Sequence, residues 1–458
     1  MTFSDALKKE YLSGKIPVIP DIKLYSPKDG DLIRGRDPVS IAEDLARSGA
    51  PVLSVVTEEK EFGGSVELLN RIASRVKVPV LRKDFISDVS DLDATVKSGA
   101  KAVLLMCSCL DEKTLTFLYQ EALTRGLEPF VETHSKEDLD FARRLGAGLV
   151  GINNRDILQL ERDNGDVSFS TGLLRFAPDT AFTISESSVR DAVDVRKVLK
   201  YGAKAVLAGT CILNAADPVR KLHSLRKKAG LKVCGIMDTK GLGTCINSAA
   251  DLAGMVVDYP VRVPWNIVPE QAAEICSKAK GRIRTCIVTG GPADKILSLA
   301  DLTAPDIIQL HYTETLEETS RIAGILKERG VSVIRSIPSD PTLRKMMFGT
   351  ADILEAAEKI EKTEVEIILF DSRDASNAAN SSESILLNRD RSEEYRQFAA
   401  KSTKLIMMGG GINADNVYDV CTEFSPDIID VMTSSEDFPG KKSPEKINAV
   451  CKAIGEGR

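Results

Sequence analysis

Residues 102–154 read AVLLMCSCLDEKTLTFLYQEALTRGLEPFVETHSKEDLDFARRLGAGLVGINN, and the class of fold can be inferred from them. The stretch holds three short apolar runs, AVLLMC, EPFVET and LVGINN, of the kind that forms buried β-strands. The segment SKEDLDFARRLGA has apolar residues at helical spacing and includes a glycine that suits a helix C-terminus. Strands this apolar, alternating with helices, are typical of a parallel sheet covered by helices.

The same alternation continues in both directions along the chain. In the first half the apolar runs begin at Pro17, Val52, Val78, Ala102, Glu128, Leu149, Ala181 and Ala205. In the second half they begin at Leu231, Leu252, Arg284, Ile307, Ser332, Glu366, Lys404 and Ile428. Eight strand–helix units in each half predict an α/β protein of two tandem TIM (β/α)8 barrels. A doubly wound open sheet is the alternative, but no GxGxxG or Walker motif supports nucleotide binding.

The length of 458 residues is sufficient for two such barrels. The segment LHSLRKKAG (Leu222–Gly230) is polar and basic, and it lacks a strand pattern. We therefore predict a boundary near Lys228, with domains spanning 1–228 and 229–458.

The overall composition excludes several classes of protein. A chain that is 43% hydrophobic and 28% charged is an ordinary globular one. The net charge of −6 argues against nucleic-acid binding, although it allows a local basic pocket for a phosphorylated metabolite. No apolar run suits a membrane helix, and the N-terminus lacks the apolar core of a signal peptide. Nine scattered cysteines without a CxxC pair predict reduced thiols in a cytoplasmic protein, and three histidines argue against a zinc site.

Polar residues mark the strand ends of the first half, where TIM barrels carry their active sites. Strand ends meet solvent and are often polar for that reason alone, so one such residue indicates little. Lysines, acids and amides at six strand ends together favour an active site. These residues are Asp21, Lys23, Ser26, Lys83, Glu132, Asn153, Arg155, Glu186, Ser187, Ser188, Gly209 and Thr210. The last four close the seventh and eighth strands, where barrels commonly bind phosphate.

The motifs PDIKLYSPKDG, EEKEFGGS, LRKDF, VETHS, GINNRD, SESS and AVLAGT resemble those of indole-3-glycerol-phosphate synthase, in the family's order. The resemblance implies ring closure of 1-(2-carboxyphenylamino)-1-deoxyribulose 5-phosphate with loss of CO2 and water. It implies Lys83 as the general acid at the ribulose carbonyl, Glu132 as the acid/base for dehydration, and Lys23 as the partner of the substrate carboxylate. It also implies that the site is lined by Asn153, Arg155, Glu186 and Ser187. By the same resemblance, the substrate or its phosphate is held with the help of Ser26, Gly209 and Thr210.

Two positions depart from that family's pattern. The usual glutamate at the end of the first strand is Asp21, and the shorter side chain reduces its reach by about 1.5 Å, which can cost much rate if the group is catalytic. Ser188 replaces a glycine, so a residue that lets the backbone approach phosphate closely is missing. Both departures affect the expected efficiency more than the identity of the reaction.

Polar groups also mark the strand ends of the second half. Cys234 on its own is more often an inert buried thiol than a catalytic one, and His311 on its own is more often structural. The run Gly409-Gly410-Gly411 is more informative, because bare backbone N–H groups at a predicted helix start, Asn413–Val417, suit a phosphate.

The motifs KVCGI, IIQLH, LFDS, MMGGGINADNV and DVMTSSEDFPGKK resemble those of phosphoribosylanthranilate isomerase. The resemblance implies an Amadori rearrangement of N-(5-phosphoribosyl)anthranilate, with Cys234 as general base and Asp371 as general acid. A thiolate base needs a lowered pKa, which a positive neighbour or the phosphate-site dipoles could supply. By the same resemblance, the pocket and its phosphate site include Gln309, His311, Gly410, Gly411, Ser434 and Ser435.

The second half departs further from its family. The family's arginine for the anthranilate carboxylate is replaced by Trp265, and Arg262 could substitute for it from a shifted loop. Trp265 could stack on the aromatic ring or could simply contribute to packing. The loop after the sixth strand, from Ser372, lacks the usual Gly-Gly-Thr-Gly run and is expected to form a lid.

We therefore predict a bifunctional enzyme of tryptophan biosynthesis, a decarboxylating lyase joined to an isomerase. It would act on small phosphorylated metabolites without metal or organic cofactor, and fused barrels could function as a monomer. One alternative is a synthase whose second barrel is a non-catalytic phosphate-binding or structural domain. Another is a non-catalytic sugar-phosphate sensor, which the presence of both Lys83 and Glu132 opposes.

Overall fold

The computed structural model describes residues 1–156, 165–371 and 389–455. The chain divides into two compact units, Met1–Arg226 and Lys227–Arg458. The boundary predicted after Lys228 lies two residues beyond this division. None of the helices in the described ranges is long and apolar enough to cross a membrane.

The first unit is a closed barrel of eight parallel strands, as the sequence predicted. In chain order the strands β1–β8 are Val18–Ile22, Leu53–Val56, Val80–Lys83, Ala102–Met106, Glu128–Thr133, Leu149–Asn153, Phe182–Glu186 and Ala205–Ala208. Each strand pairs with the next, and β1 closes the ring by pairing with β8 through Val18 and Val206.

The strands are apolar on both faces because each face packs on a different core. In β4, Ala102, Leu104 and Met106 belong to the cluster that includes the N-terminal helix residues Phe3 and Leu7. The alternate residues of β4 belong to the larger cluster formed with the surrounding helices. A period of two along each strand therefore fills both cores.

Ten helices, α1–α10, accompany this barrel in the described part of the first unit. They are Phe3–Leu12, Pro38–Arg47, Val66–Arg75, Val89–Lys97, Glu112–Thr124, Lys136–Leu145, Ser168–Leu173, Ala192–Lys200, Thr210–Leu213 and Pro218–Leu225. Helix α1 lies at the amino ends of the strands, where Ser4 donates two hydrogen bonds to Glu128 at the start of β5. The opposite, carboxyl-end rim carries the polar residues expected from the sequence.

The second unit is also a closed barrel of eight parallel strands, as predicted. Its strands β9–β16 are Gly230–Val233, Leu252–Val257, Arg284–Thr289, Ile307–Leu310, Ser332–Ile337, Ile367–Asp371, Leu405–Gly409 and Ile428–Val431. Strand β9 pairs with both β10 and β16, which closes the ring. A short parallel strand, Asn266–Ile267, pairs with the last two residues of β10, Val256 and Val257.

The described helices of the second unit, α11–α19, follow the strands. They are Thr239–Asn247, Pro269–Ala279, Ala293–Thr303, Leu316–Glu328, Pro341–Phe348, Ile353–Glu361, Ser392–Lys401, Val417–Phe424 and Pro444–Gly455. The helix start predicted within Asn413–Val417 is that of α18, which begins at Val417. Asn413 and Asn416 exchange backbone-to-side-chain hydrogen bonds, and the Val417 N–H donates to the Asn413 carbonyl at 3.0 Å, so this turn leads directly into the helix.

Candidate active sites

Three ionisable side chains meet at the carboxyl-end rim of the first barrel. Lys83 ends β3, Glu132 lies near the end of β5, and Glu186 ends β7. The Lys83 ammonium donates a 3.1 Å hydrogen bond to Glu132 Oε2 and lies 3.7 Å from Glu186 Oε2. All three are buried, so their interactions are only weakly screened by water. An ammonium between two carboxyl groups can give a proton to a substrate oxygen and recover one from a neighbour.

Gly151 on β6 provides the space for the Glu186 carboxyl group. A Cβ atom at Gly151 would lie 1.8 Å from Glu186 Oε1 and 2.8 Å from a ring carbon of Phe130. Burial raises the pKa of Glu186 well above its usual value, and the nearby Glu132 charge raises it further while Lys83 opposes the rise. Glu186 therefore retains its proton to a higher pH than an exposed glutamate.

Asp21 and the residues after β1 form another part of this rim. The Ser54 hydroxyl donates a 2.6 Å hydrogen bond to Asp21 Oδ1, and both residues are buried. Gly209 leaves room for this side chain, because a Cβ there would lie 3.3 Å from Asp21 Oδ2. The Lys23 ammonium is 5.9 Å from the centre of the Phe62 ring, and Ser26 is buried in the short strand Tyr25–Ser26 that follows.

Asn153 and its neighbours line the rim at the end of β6. Asn153 Oδ1 accepts a 3.1 Å hydrogen bond from the Arg155 backbone, which turns the chain at this strand end. Asn153 Nδ2 is buried without a hydrogen-bond partner among the described residues, so it can donate to a ligand. Arg155 is half-buried, and the residues from 157 to 164 are outside the described ranges.

Ser187 and Ser188 both adopt left-handed backbone conformations, with φ of 64° and 59°. The sequence predicted that a glycine was missing at position 188, and the structure shows that Ser188 still follows a left-handed path of the kind glycine favours. The Ser188 hydroxyl is buried without a partner in the described part of the chain. After the neighbouring strand β8, Gly209 and Thr210 lie at the start of the four-residue helix α9.

The second barrel has a cavity of about 780 Å³, including its open mouth. It brings together residues from the ends of several strands and their loops. Its lining is Cys234, Val256, Tyr259, Val263, Trp265, Val288, Gln309, His311, Asp371, Gly410, Gly411, Ile412, Asp430, Val431, Met432, Thr433 and Ser434. Predicted residues from six separate stretches of sequence thus share one cavity.

Cys234 lies beside a buried ion pair. The Lys232 ammonium is 2.7 Å from Asp430 Oδ2, while Asp430 Oδ1 is buried with no hydrogen-bond partner among the described residues. Burial raises the pKa of the Cys234 thiol, Lys232 and Lys442 lower it, and Asp430 raises it. The sequence led us to expect a lowered pKa for this thiol, and the expectation was wrong. Removal of the thiol from water raises its pKa by more than the two lysine charges lower it.

His311, Gln309 and Asp371 form a short chain of contacts across the cavity. Gln309 Nε2 is 3.1 Å from His311 Nδ1, and His311 Nε2 is 3.6 Å from Asp371 Oδ2. Burial, helped by the Lys232 charge, lowers the pKa of His311 to about 4, so the ring is neutral near pH 7. With Gln309 Nε2 donating to Nδ1, the ring proton is on Nε2 and points towards Asp371.

The predicted phosphate residues of this barrel are only partly brought together. Gly410 and Gly411 line the cavity with φ of 88° and 68°. Ser434 lines it as well, and its hydroxyl donates to the Ile412 carbonyl. Ser435 does not line the cavity: it is buried, and its hydroxyl donates to the Met432 carbonyl at 2.6 Å.

Trp265 and Arg262 lie on the loop after β10, and the structure separates their roles. Trp265 is 7% exposed and lines the cavity. Arg262 is exposed and is not among the lining residues, so the expectation that it replaces the family's arginine has no support from this loop conformation. The lid expected from Ser372 onward falls on residues 372–388, which lie outside the described ranges.

Several residues of these sites were missed by the sequence reasoning. In the first barrel they are Ser54 and Gly151, a serine and a glycine within apolar strands. In the second they are Lys232, Tyr259 and Asp430. A charged residue inside an otherwise apolar strand, as in KVCGI and IIDVM, is the signal that could have identified Lys232 and Asp430.

Two family models match this chain, one in each half. Residues 1–225 match indole-3-glycerol phosphate synthase, and residues 231–453 match N-(5'-phosphoribosyl)anthranilate (PRA) isomerase. An indole-3-glycerol phosphate synthase from Pyrococcus abyssi is 40% identical over 210 residues, which cover 46% of this chain and 91% of the relative. The synthase of Staphylococcus aureus (strain USA300) is 37% identical over 225 residues, covering 49% and 84%.

Solved structures similar to this chain include two of phosphoribosyl anthranilate isomerase. The one from Thermotoga maritima is 24% identical, covers 49% of this chain and 98% of its own, and has a TM-score of 0.40. One in complex with reduced 1-(o-carboxyphenylamino)-1-deoxyribulose 5-phosphate is 27% identical, covers 49% and 98%, and has a TM-score of 0.37.

Proposed function

Because this chain belongs to the indole-3-glycerol phosphate synthase family through its first barrel and carries a PRA isomerase domain as its second, we propose that it catalyses two consecutive reactions of tryptophan biosynthesis. The second barrel isomerises N-(5-phosphoribosyl)anthranilate. The first converts the resulting 1-(2-carboxyphenylamino)-1-deoxyribulose 5-phosphate into indole-3-glycerol phosphate. The observation that carries the proposal is the presence of a proton-transfer set in each barrel: Lys83 with Glu132, and Cys234 with Asp371.

In the synthase reaction a carbon–carbon bond forms between the aromatic ring and the ribulose carbonyl carbon, and CO2 and water leave. The Lys83 ammonium protonates the carbonyl oxygen as the bond forms, which neutralises the developing negative charge. Glu132, 3.1 Å from Lys83, is within reach to exchange protons with it during dehydration. Burial raises the pKa of Glu186, 3.7 Å from the Lys83 ammonium, so this carboxyl group holds a proton more strongly than an exposed glutamate does.

In the isomerase reaction Asp371 protonates the furanose ring oxygen as the ring opens, and Cys234 removes the proton at C2. Both residues line the same cavity, so one sugar can contact both. Burial keeps the thiol protonated in the free enzyme, while Lys232 and Lys442 favour the thiolate once it forms. Neutral His311, pointing its Nε2 proton towards Asp371, can orient that carboxyl group without adding charge.

We further propose that the substrates are small phosphorylated metabolites and that the protein works in the cytoplasm. Free thiols at all nine cysteine positions support a reducing compartment. The backbone of Gly410 and Gly411 in the second barrel, and of Ser187 and Ser188 in the first, supports phosphate binding next to each proton-transfer set.

The test is to assay the purified protein with each substrate separately, together with Lys83→Ala and Cys234→Ala. We expect Lys83→Ala to abolish the synthase reaction and leave the isomerase unchanged, and Cys234→Ala to do the reverse. A wild-type protein with synthase activity but none on N-(5-phosphoribosyl)anthranilate would refute the bifunctional proposal in favour of a non-catalytic second barrel. If both reactions proceed and Cys234→Ala spares the isomerase, the assignment of the base is wrong.

A further inference from the structure

Trp265 is the single tryptophan of the chain. Its indole is hydrogen-bonded to a carboxylate that belongs to a buried ion pair. Its indole N–H donates to both oxygens of the Glu436 carboxylate, at 3.0 and 3.2 Å. Glu436 Oε2 also accepts hydrogen bonds of 3.0 Å from the Lys442 ammonium and from the Gly440 backbone. Trp265, Glu436 and Lys442 are each 5–7% exposed, so this is a desolvated network with little freedom to move.

Two pieces of backbone structure hold this network in place. Glu436 and Lys442 are direct cross-strand partners in the short hairpin formed by Glu436–Phe438 and Lys441–Lys442. On the other side, Trp265 immediately precedes the short strand Asn266–Ile267, which pairs with β10. Trp265 is therefore held at two points, by its backbone next to the short strand and by its ring nitrogen.

The same network borders the general base. A Cβ atom at Gly235, the residue after Cys234, would lie 2.9 Å from Trp265 Cδ1 and 3.3 Å from Lys442 Nζ. Trp265 and Cys234 also line the same cavity. An aromatic ring of a ligand that reaches Cys234 would therefore meet a flat and rigid indole at the wall.

We propose that Trp265 is a specificity-determining residue of the isomerase site, with Glu436 and Lys442 as positioning residues that hold it. The indole forms the face on which the aromatic ring of the substrate packs, while the sugar phosphate is held elsewhere in the cavity. Aromatic rings gain from packing against one another in this way, and a ring that is already fixed loses little entropy when the ligand binds. This inference rests on the proposed isomerase function.

The first experiment separates binding of the aromatic ring from binding of the sugar phosphate. For Trp265→Ala we expect the KM for N-(5-phosphoribosyl)anthranilate to rise at least about tenfold, with kcat within about threefold of wild type. Ribose 5-phosphate has no aromatic ring, so its inhibition constant should stay within about twofold. Trp265→Phe keeps a ring and should restore KM to within about threefold of wild type.

The second experiment tests the positioning role through the fluorescence of the single tryptophan. In Glu436→Gln the hydrogen-bonding of the indole changes and Lys442 loses its charged partner. We expect a shifted Trp265 emission, greater quenching by acrylamide, and a higher KM. Phe438→Ala is the matched control, since it truncates a 60% exposed ring on the same hairpin and should change neither emission nor KM.

A KM that is unchanged in Trp265→Ala would overturn the proposal. So would an equal rise in the KM and in the ribose 5-phosphate inhibition constant, because that would mean general damage to the site. An unshifted emission in Glu436→Gln would refute the positioning role. If the wild-type protein does not isomerise the substrate at all, the proposed function fails instead, which distinguishes the two failures.

Discussion

Replacing Gly151 by alanine is expected to disable the first barrel alone. The added Cβ would lie 1.8 Å from Glu186 Oε1, whereas ordinary contact begins at 3.4 Å, so the carboxyl group must move by about 1.6 Å. Phe130, 2.8 Å from the same point and fully buried, blocks part of the space into which the strands could relax. A misplacement of about 1 Å at a reacting centre can cost about 100-fold in rate.

We therefore expect Gly151→Ala to lower the synthase kcat/KM by at least about 100-fold, or about 2.7 kcal/mol of transition-state stabilisation. Overpacking should also lower the free energy of unfolding of this barrel by about 1–3 kcal/mol, measurable by urea denaturation. The isomerase activity of the same polypeptide is an internal control and should not change.

Gly148→Ala is the matched control for this variant. Gly148 precedes the same strand, does not have a positive φ, and has no atom within 4 Å of its hypothetical Cβ. We expect it to keep full synthase activity. The reasoning would be refuted if Gly151→Ala retained synthase activity within about threefold of wild type, or if Gly148→Ala lost as much as Gly151→Ala.

Three further predictions follow from the same sites. Ser188→Gly should raise the free energy of unfolding in urea by up to about 1 kcal/mol, because φ is 59° there, whereas Ser98→Gly at φ −72° should lower it. Glu186→Gln should flatten the dependence of unfolding free energy on pH. The pKa of Glu186 is raised in the folded state. Its contribution to the free energy of unfolding is therefore fully present below the usual glutamate pKa and is lost as the pH rises through the pKa of the folded state. Lys442→Met should shift the rising limb of the isomerase kcat/KM–pH profile to higher pH, because Lys442 lowers the pKa of the Cys234 thiol.

Each of these predictions can be contradicted by a single result. Equal losses of stability in the two serine variants would mean that the left-handed backbone at position 188 carries no strain. An unchanged pH dependence in the Glu186 variant would mean that this carboxyl group is not protonated above its usual range. A rising limb that stays in place without Lys442 would mean that its charge does not reach the thiol.

The strands could be predicted because each one carries its own signal. A short apolar run between helical segments is a local property, and both barrels follow from counting such runs. The polar residues at strand ends were also predictable in part, since a closed parallel barrel must bring the carboxyl ends of its strands to one rim. Lys83, Glu132 and Glu186 meet at that rim for this reason.

The conformation of the loops and the direction of the pKa shifts could not be predicted from local sequence patterns. Arg262 is three residues from Trp265 in sequence, yet only the tryptophan lines the cavity, because the strand at Asn266–Ile267 fixes the end of the loop. The direction of the Cys234 pKa shift depended on how fully the thiol is removed from water, which no single stretch of sequence encodes.

The sequence by itself determined the class of fold, the two halves and which polar residues lie at many of the strand ends, because periodicity and strand order are properties of the linear chain. Only the tertiary structure decided how those groups act on one another. Gly151 makes room for Glu186, and Glu436 holds Trp265 across 171 residues of chain. Such contacts depend on distance and exclusion of water between segments far apart in sequence, and closure of each barrel is what brings them together.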